Sequence, residues 1–179
     1  TEIYTLSLHD ALPISMISGG LGFATSTFEG HNGDKGVPMP SRLADNFEMQ
    51  SLIKAMSSFG RGVFMLTRGS NTSINNIKEW MKDSKRPAVV AALLHNPLSD
   101  NSTFKILDDI TKATENGTEM WGQVSCRPLS MEFTMKSPYL FEGITSWKPA
   151  MECSSQELYR KVLADSIFRK NLSNEIEDD

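Results

Sequence analysis

Residues 88–94 read AVVAALL, seven apolar positions without a polar break. The reading of that stretch decides the fold, because an unbroken apolar run predicts a strand covered on both faces, as in parallel sheets. Pro87 closes the connection before it and His95 stands at its end. Upstream, Ser73 is a good helix cap, and Ile74, Ile77, Trp80 and Met81 then share one helical face. Downstream, Phe104, Leu107, Ile110 and Ala113 keep helical spacing over residues 102–116, and Gly117 is the stop.

Further out the alternation continues. Residues 21–25 (LGFAT), 63–66 (VFML) and 120–126 (MWGQVSC) predict three more strands. Asp45 opens a helix with Glu48 three residues on, as in a capping box. Phe47, Leu52, Ile53, Met56 and Phe59 repeat at helical spacing before Gly60 and Gly62 end it. After a long connection carrying Pro128, Pro138 and Pro149, a last helix is expected from Ser154 to about Lys170, with Ser154 and Glu157 as its capping box. The order β-α-β-α-β-α-β and a final helix is that of an α/β domain with parallel strands and right-handed crossovers. Half of a (β/α) barrel and an open doubly wound sheet both fit it.

The ends read differently. Residues 1–14, TEIYTLSLHDALPI, resemble the in-frame translation of a sequencing adapter, joined to coding sequence near Ser15 or Met16. A signal peptide fits less well, since no Lys or Arg precedes a hydrophobic run and His9, Asp10 and Pro13 interrupt the apolar residues. The expected organisation is a foreign leader over 1–15, one α/β domain over 16–172 and a fraying acidic tail over 173–179. On this reading the chain is an interior slice of a longer protein, and Glu2, His9 and Asp10 belong to no site.

Composition narrows the function classes. The 179 residues carry a net charge of −4, and −2 once Glu2 and Asp10 of the leader are set aside. A near-neutral, slightly acidic chain has no electrostatic footprint for nucleic acid or an anionic membrane. Mean hydropathy of −0.30 fits a soluble globular protein, and no run approaches the length that crosses a bilayer. Two distant cysteines, Cys126 and Cys153, without a CxxC, favour free thiols and a cytoplasmic protein. Cys126 reads as a core thiol.

Function in either architecture gathers at the C-terminal ends of the strands. The loop over 26–42 is rich in candidates, His31, Asp34, Lys35 and Arg42, set among glycines and prolines. Such a loop is either functional or a solvated surface segment. His95, at the mouth of the 88–94 strand, has an imidazole suited to metal binding or proton transfer near neutral pH, or simply to a structural hydrogen bond. One histidine is not a zinc site, which takes three or four protein ligands. No glycine fingerprint, P-loop or GxSxG elbow is present.

Several segments together resemble one family. Gly22-Phe23-Ala24-Thr25-Ser26-Thr27, His31, residues 36–41 (GVPMPS) and residues 60–64 (GRGVF) are similar, in order and spacing, to the N-acyl-D-amino-acid deacylase branch of the amidohydrolase superfamily. Residues 122–125 (GQVS), Arg127-Pro128 and Ser146-Trp147 extend the resemblance to about Leu172. It implies a partial (β/α)8 TIM barrel of about four consecutive βα units. It also implies a small-molecule amide substrate, such as an N-acyl amino acid, hydrolysed by water activated on zinc or another divalent metal.

The resemblance carries only some site residues over. His95 falls near a family metal ligand; His31 and Arg42 lie on the substrate-facing loop; Arg68 and Arg127 are suited to pair with a substrate carboxylate, or to salt bridges at the barrel mouth. The expected His-x-His and the acid/base Asp have no counterpart, and Thr67 stands where a histidine ligand is expected. The fragment alone is therefore expected to be inactive. A non-catalytic barrel relative that binds a small carboxylate or a protein is the second reading, and an unrelated nucleotide-binding α/β domain the last.

Overall fold

A computed structural model of the chain describes residues 7–95, 101–128, 130–135 and 138–177. The chain divides into two compact units, Thr1–Phe28 with Pro40–Leu129, and Glu29–Met39 with Ser130–Asp179.

Four strands form the first unit's sheet: β1 (Gly22–Ser26), β2 (Val63–Thr67), β3 (Ala88–Leu93) and β4 (Met120–Val124). They pair in chain order, β1-β2-β3-β4, and every pairing is parallel. Helices α1 (Leu8–Ile17), α2 (Asn46–Ser57), α3 (Ile74–Met81) and α4 (Ser102–Glu115) pack side by side in the same order. The expected mixed α/β fold with a parallel sheet is thus what the chain forms.

Local chemistry explains where the helices begin. The Asp45 carboxylate accepts from Glu48 N–H at 2.8 Å and starts α2. At α3, Ser73 and Asn76 form a reciprocal capping box. Trp80 Nε1 donates to Asn46 Oδ1 at 2.8 Å, tying α3 to the first turn of α2.

The sheet register shows which face is buried. One row across it, Phe23, Phe64, Ala88 and Met120, is buried under the helices together with Met49, Leu52, Ile53, Met56 and Ile77. The next row, Ala24, Met65, Val89 and Trp121, points to the other face. None of these four is buried, and Trp121 is 61% exposed. The expectation that the 88–94 run is covered on both faces is therefore corrected: Val89 is half-buried and Ala92 exposed. Crossovers of one hand between strands added in one direction put their helices on one side, so within the first unit the apolar run has a single helix layer over it.

Other expectations shift in detail. Phe47, Phe104 and Leu107 sit on helices as expected but are exposed, since α2 buries Met49 in place of Phe47 and α4 buries only Ile110 and Ala113. Cys126 is exposed and both cysteines are free thiols. Helix α1 spans the expected junction near Ser15, with Leu12 and Met16 in the core and the Arg61 guanidinium donating to the Met16 carbonyl.

The second unit joins a strand-end segment, 29–39, to the region after β4. It contains α5 (Lys148–Met151), α6 (Gln156–Ala164) and α7 (Ser166–Glu177). The single last helix expected from Ser154 is two helices. Ser155, not Ser154, caps α6, and Asp165, in extended conformation, breaks the run before its carboxylate caps Phe168 N–H at 2.8 Å. α7 continues through Glu177, so most of the expected acidic tail is helical; residues 178–179 lie outside the described residues. The core is Trp147, Ala150 and Phe168, with Phe141 stacked on Trp147 at a centroid distance of 4.8 Å. Among the described residues no helix is long and apolar enough to cross a membrane.

Candidate functional site

Parallel strands in register bring four strand ends to one edge of the first unit. β1 ends at Ser26, β2 at Thr67, β3 at Leu93 and β4 at Val124. Arg68, His95 and Arg127 follow the last three directly or within three residues, so the fold gathers them on that edge. Arg42 also belongs to this unit, whereas His31 belongs to the second.

The edge has its own polar scaffold. Thr27 N–H donates to Thr67 O at 3.0 Å, continuing the β1–β2 ladder past the strand. Thr27 Oγ1 accepts from Gly69 N–H at 3.0 Å and pairs with Thr72 Oγ1 at 2.9 Å. Thr72 is buried, so its hydroxyl needs this partner. Arg68 N–H donates to Ala91 O at 3.2 Å, and its Nη1 donates to Thr72 O at 2.8 Å and Gly69 O at 3.3 Å. Arg68 thus clamps the 68–73 loop to itself, at the head of α3. Its Nη1 is engaged by backbone carbonyls on that side.

The other candidates are more open. His95 is exposed and lies against Phe104, with ring centroids 6.2 Å apart, while Thr103 Oγ1 donates to Leu94 O at 2.8 Å and fixes the start of α4 beside it. Arg127 is exposed, and its N–H donates to Ser125 Oγ at 3.4 Å. Arg42 is half-buried in the short 3-10 turn Pro40–Arg42. Lys35's side chain lies outside the described residues, as do residues 96–100 after His95.

A divalent metal finds no complete donor set among the described residues. Among the described residues no three His, Cys, Asp or Glu side chains converge, and Thr67, at the mouth of β2, supplies only a hydroxyl. The residues that the sequence reading passed over are Thr27, Gly69 and Thr72. Their only trace in the sequence was small polar residues beside strand ends, a pattern shared with ordinary loops. No family model, curated protein or solved structure matches the chain.

Proposed function

We propose that the chain is part of a (β/α) barrel hydrolase that cleaves a carbon–nitrogen bond other than a peptide bond, in an N-acyl amino acid or a related amide. The observation that carries this reading is the sheet: four parallel strands in unreversed chain order, with α1–α4 of the same unit packed on one face and none of them on the other. A doubly wound sheet reverses its strand order and places helices on both sides; a barrel does neither, and its inner face is lined by residues such as those of the Ala24, Met65, Val89 and Trp121 row.

The chain's own part in that reaction is substrate binding. Arg127, exposed at the strand-end edge, would take a substrate carboxylate bidentately on this reading. Arg68 acts indirectly, holding the 68–73 loop through Thr72. His95 stands between these two, two residues past the end of β3. The metal donors and the acid/base carboxylate that the resemblance implies belong, on this reading, to parts of the parent outside this chain, and the chain alone is inactive.

Thr67, standing where a histidine ligand is expected, favours a second reading, a barrel relative that binds a small carboxylate or a protein without turnover. Expression of the longest reading frame that contains this chain separates the two. Hydrolysis of N-acetyl amino acids that a chelator abolishes supports the enzyme; chelator-insensitive turnover overturns the metal route. Absence of turnover with retained carboxylate binding supports the second reading.

A further inference from the structure

A cavity of about 650 Å³ opens within the second unit, inside the size range of small-molecule sites. Every lining residue belongs to the second unit. Trp147, Met151 and Leu163 give it an apolar floor. Three charged residues are among its lining as well: Asp34, Glu142 and Arg160. Among the described residues none of these three has an ion-pair partner.

The residues that carry the two carboxylates, Asp34 and Glu142, come from distant parts of the chain and line the same cavity. At Gly36 (φ +74°) a Cβ would collide with the Glu142 carbonyl oxygen, so the 29–39 segment is pressed against the turn that carries Glu142. Tyr139 Oη, donating to Gly30 O at 2.8 Å, holds the same two segments together. Arg160 approaches from α6, one residue after Tyr159, whose Oη donates to Met135 O at 2.7 Å. Burial, and secondarily the nearby Cys153 thiol, holds the Tyr159 phenol above its ordinary pKa, so it stays a neutral donor there.

We infer that this cavity is a binding site for a small zwitterion with an apolar body, its ammonium group taken by Asp34 and Glu142, its carboxylate by Arg160 and its apolar part by the Trp147 floor. A simple fatty acid would leave both carboxylates facing it, and a simple amine would leave the guanidinium unused. Only a ligand with both charges answers all three groups. The site stands on the second unit alone and does not rest on the hydrolase reading.

Calorimetric titration of the full chain with L-phenylalanine, phenethylamine and 3-phenylpropionate tests it. The expected result is saturable binding of phenylalanine at or below about 1 mM, a value reachable for a ligand of that size. Each analogue, lacking one charge, should bind about tenfold more weakly, the scale of one charge-assisted hydrogen bond. Arg160→Met should weaken phenylalanine about tenfold and leave phenethylamine unchanged. Asp34→Asn with Glu142→Gln should weaken phenylalanine similarly and spare 3-phenylpropionate. Asp34 and Arg160 are exposed, and an unchanged amide NMR spectrum away from the cavity confirms that the variants fold. No saturable binding by any probe, equal binding by all three, an analogue that matches phenylalanine, or variants without effect would each overturn the inference.

Discussion

Glu175, on α7, accepts a hydrogen bond from the backbone N–H of Ser146 at 2.7 Å. Its other carboxylate oxygen takes the N–H of Thr145, also at 2.7 Å. One side chain near the chain's end therefore satisfies two donors at the head of the turn that carries Trp147, the largest side chain in the second unit's core. An Asp or Glu in this position acts as a helix cap supplied from another helix.

Hydrogen bonds from Ser146, then Thr145, hold the Glu175 carboxyl below the usual glutamate range. A depressed folded-state value means that the carboxylate form favours folding. Its stabilisation is complete above the unfolded-state value of about 4.3 and is lost as pH falls through the lower folded value. Amide exchange of Thr145 and Ser146 should accelerate over that acid window, and Glu175→Gln should remove the pH dependence while raising exchange at neutral pH. Exchange that is insensitive to the substitution would show that the contact does not hold the turn.

Met16, on the helix that packs against α2, is fully buried in the first unit's core beside Gly62. Met16→Ala should cost about 2–4 kcal/mol, the usual range for emptying a methionine-sized core site. Urea unfolding measures it. A cost under about 0.5 kcal/mol, typical of a surface site, would mean that α1 is not part of the cooperative core and that the unit folds without residues 1–17.

At Gly22, a Cβ would collide with the carbonyl oxygen and backbone nitrogen of Val63. The clash is with backbone in a paired strand, so it cannot be relieved by a rotamer change. Gly22→Ala should destabilise the first unit by about 1–3 kcal/mol, as overpacking does. Gly60, at φ +66° but with open space around its Cβ position, serves as the control; Gly60→Ala should cost about 1 kcal/mol through backbone strain alone. Thermal denaturation of the pair ranks them, and the opposite ranking would contradict the close β1–β2 approach.

Arg68 holds Thr72 and Gly69 through their carbonyls. Arg68→Met keeps the aliphatic stem and removes those bonds. It should lower stability by about 1–2 kcal/mol and loosen residues 68–73, read as faster exchange at Gly69 and Thr72. If Arg68 served only substrate binding, the chain's stability would not change.

How much of this was legible follows from the range over which each signal acts. The caps at Asp45 and Ser73, the four strands and the helices near them were readable, because capping and period depend on residues three or four apart. His95 and Arg127 were correctly placed at strand ends for the same reason. The buried Thr27–Thr72 pair was not readable, because β1 and the 68–73 loop meet only through the β1–β2 pairing; Arg68 and Thr72 are four residues apart, but a side chain bonding a loop carbonyl has no periodic signature.

The sequence by itself determined an α/β chain of alternating strands and helices, near-neutral in charge, with cationic candidates on its loops. Only the tertiary structure decided that α1–α4 all pack on one sheet face, that Phe47 and Phe104 face solvent, that α6 and α7 separate at Asp165, and that residues 29–39 fold with residues 130–179. Periodicity says that a segment has an apolar side, but the direction in which successive strands are added says which sides meet. The charges around the Trp147 cavity likewise lie more than a hundred residues apart in the chain, Asp34 against Glu142 and Arg160. Nothing local to either segment encodes that meeting.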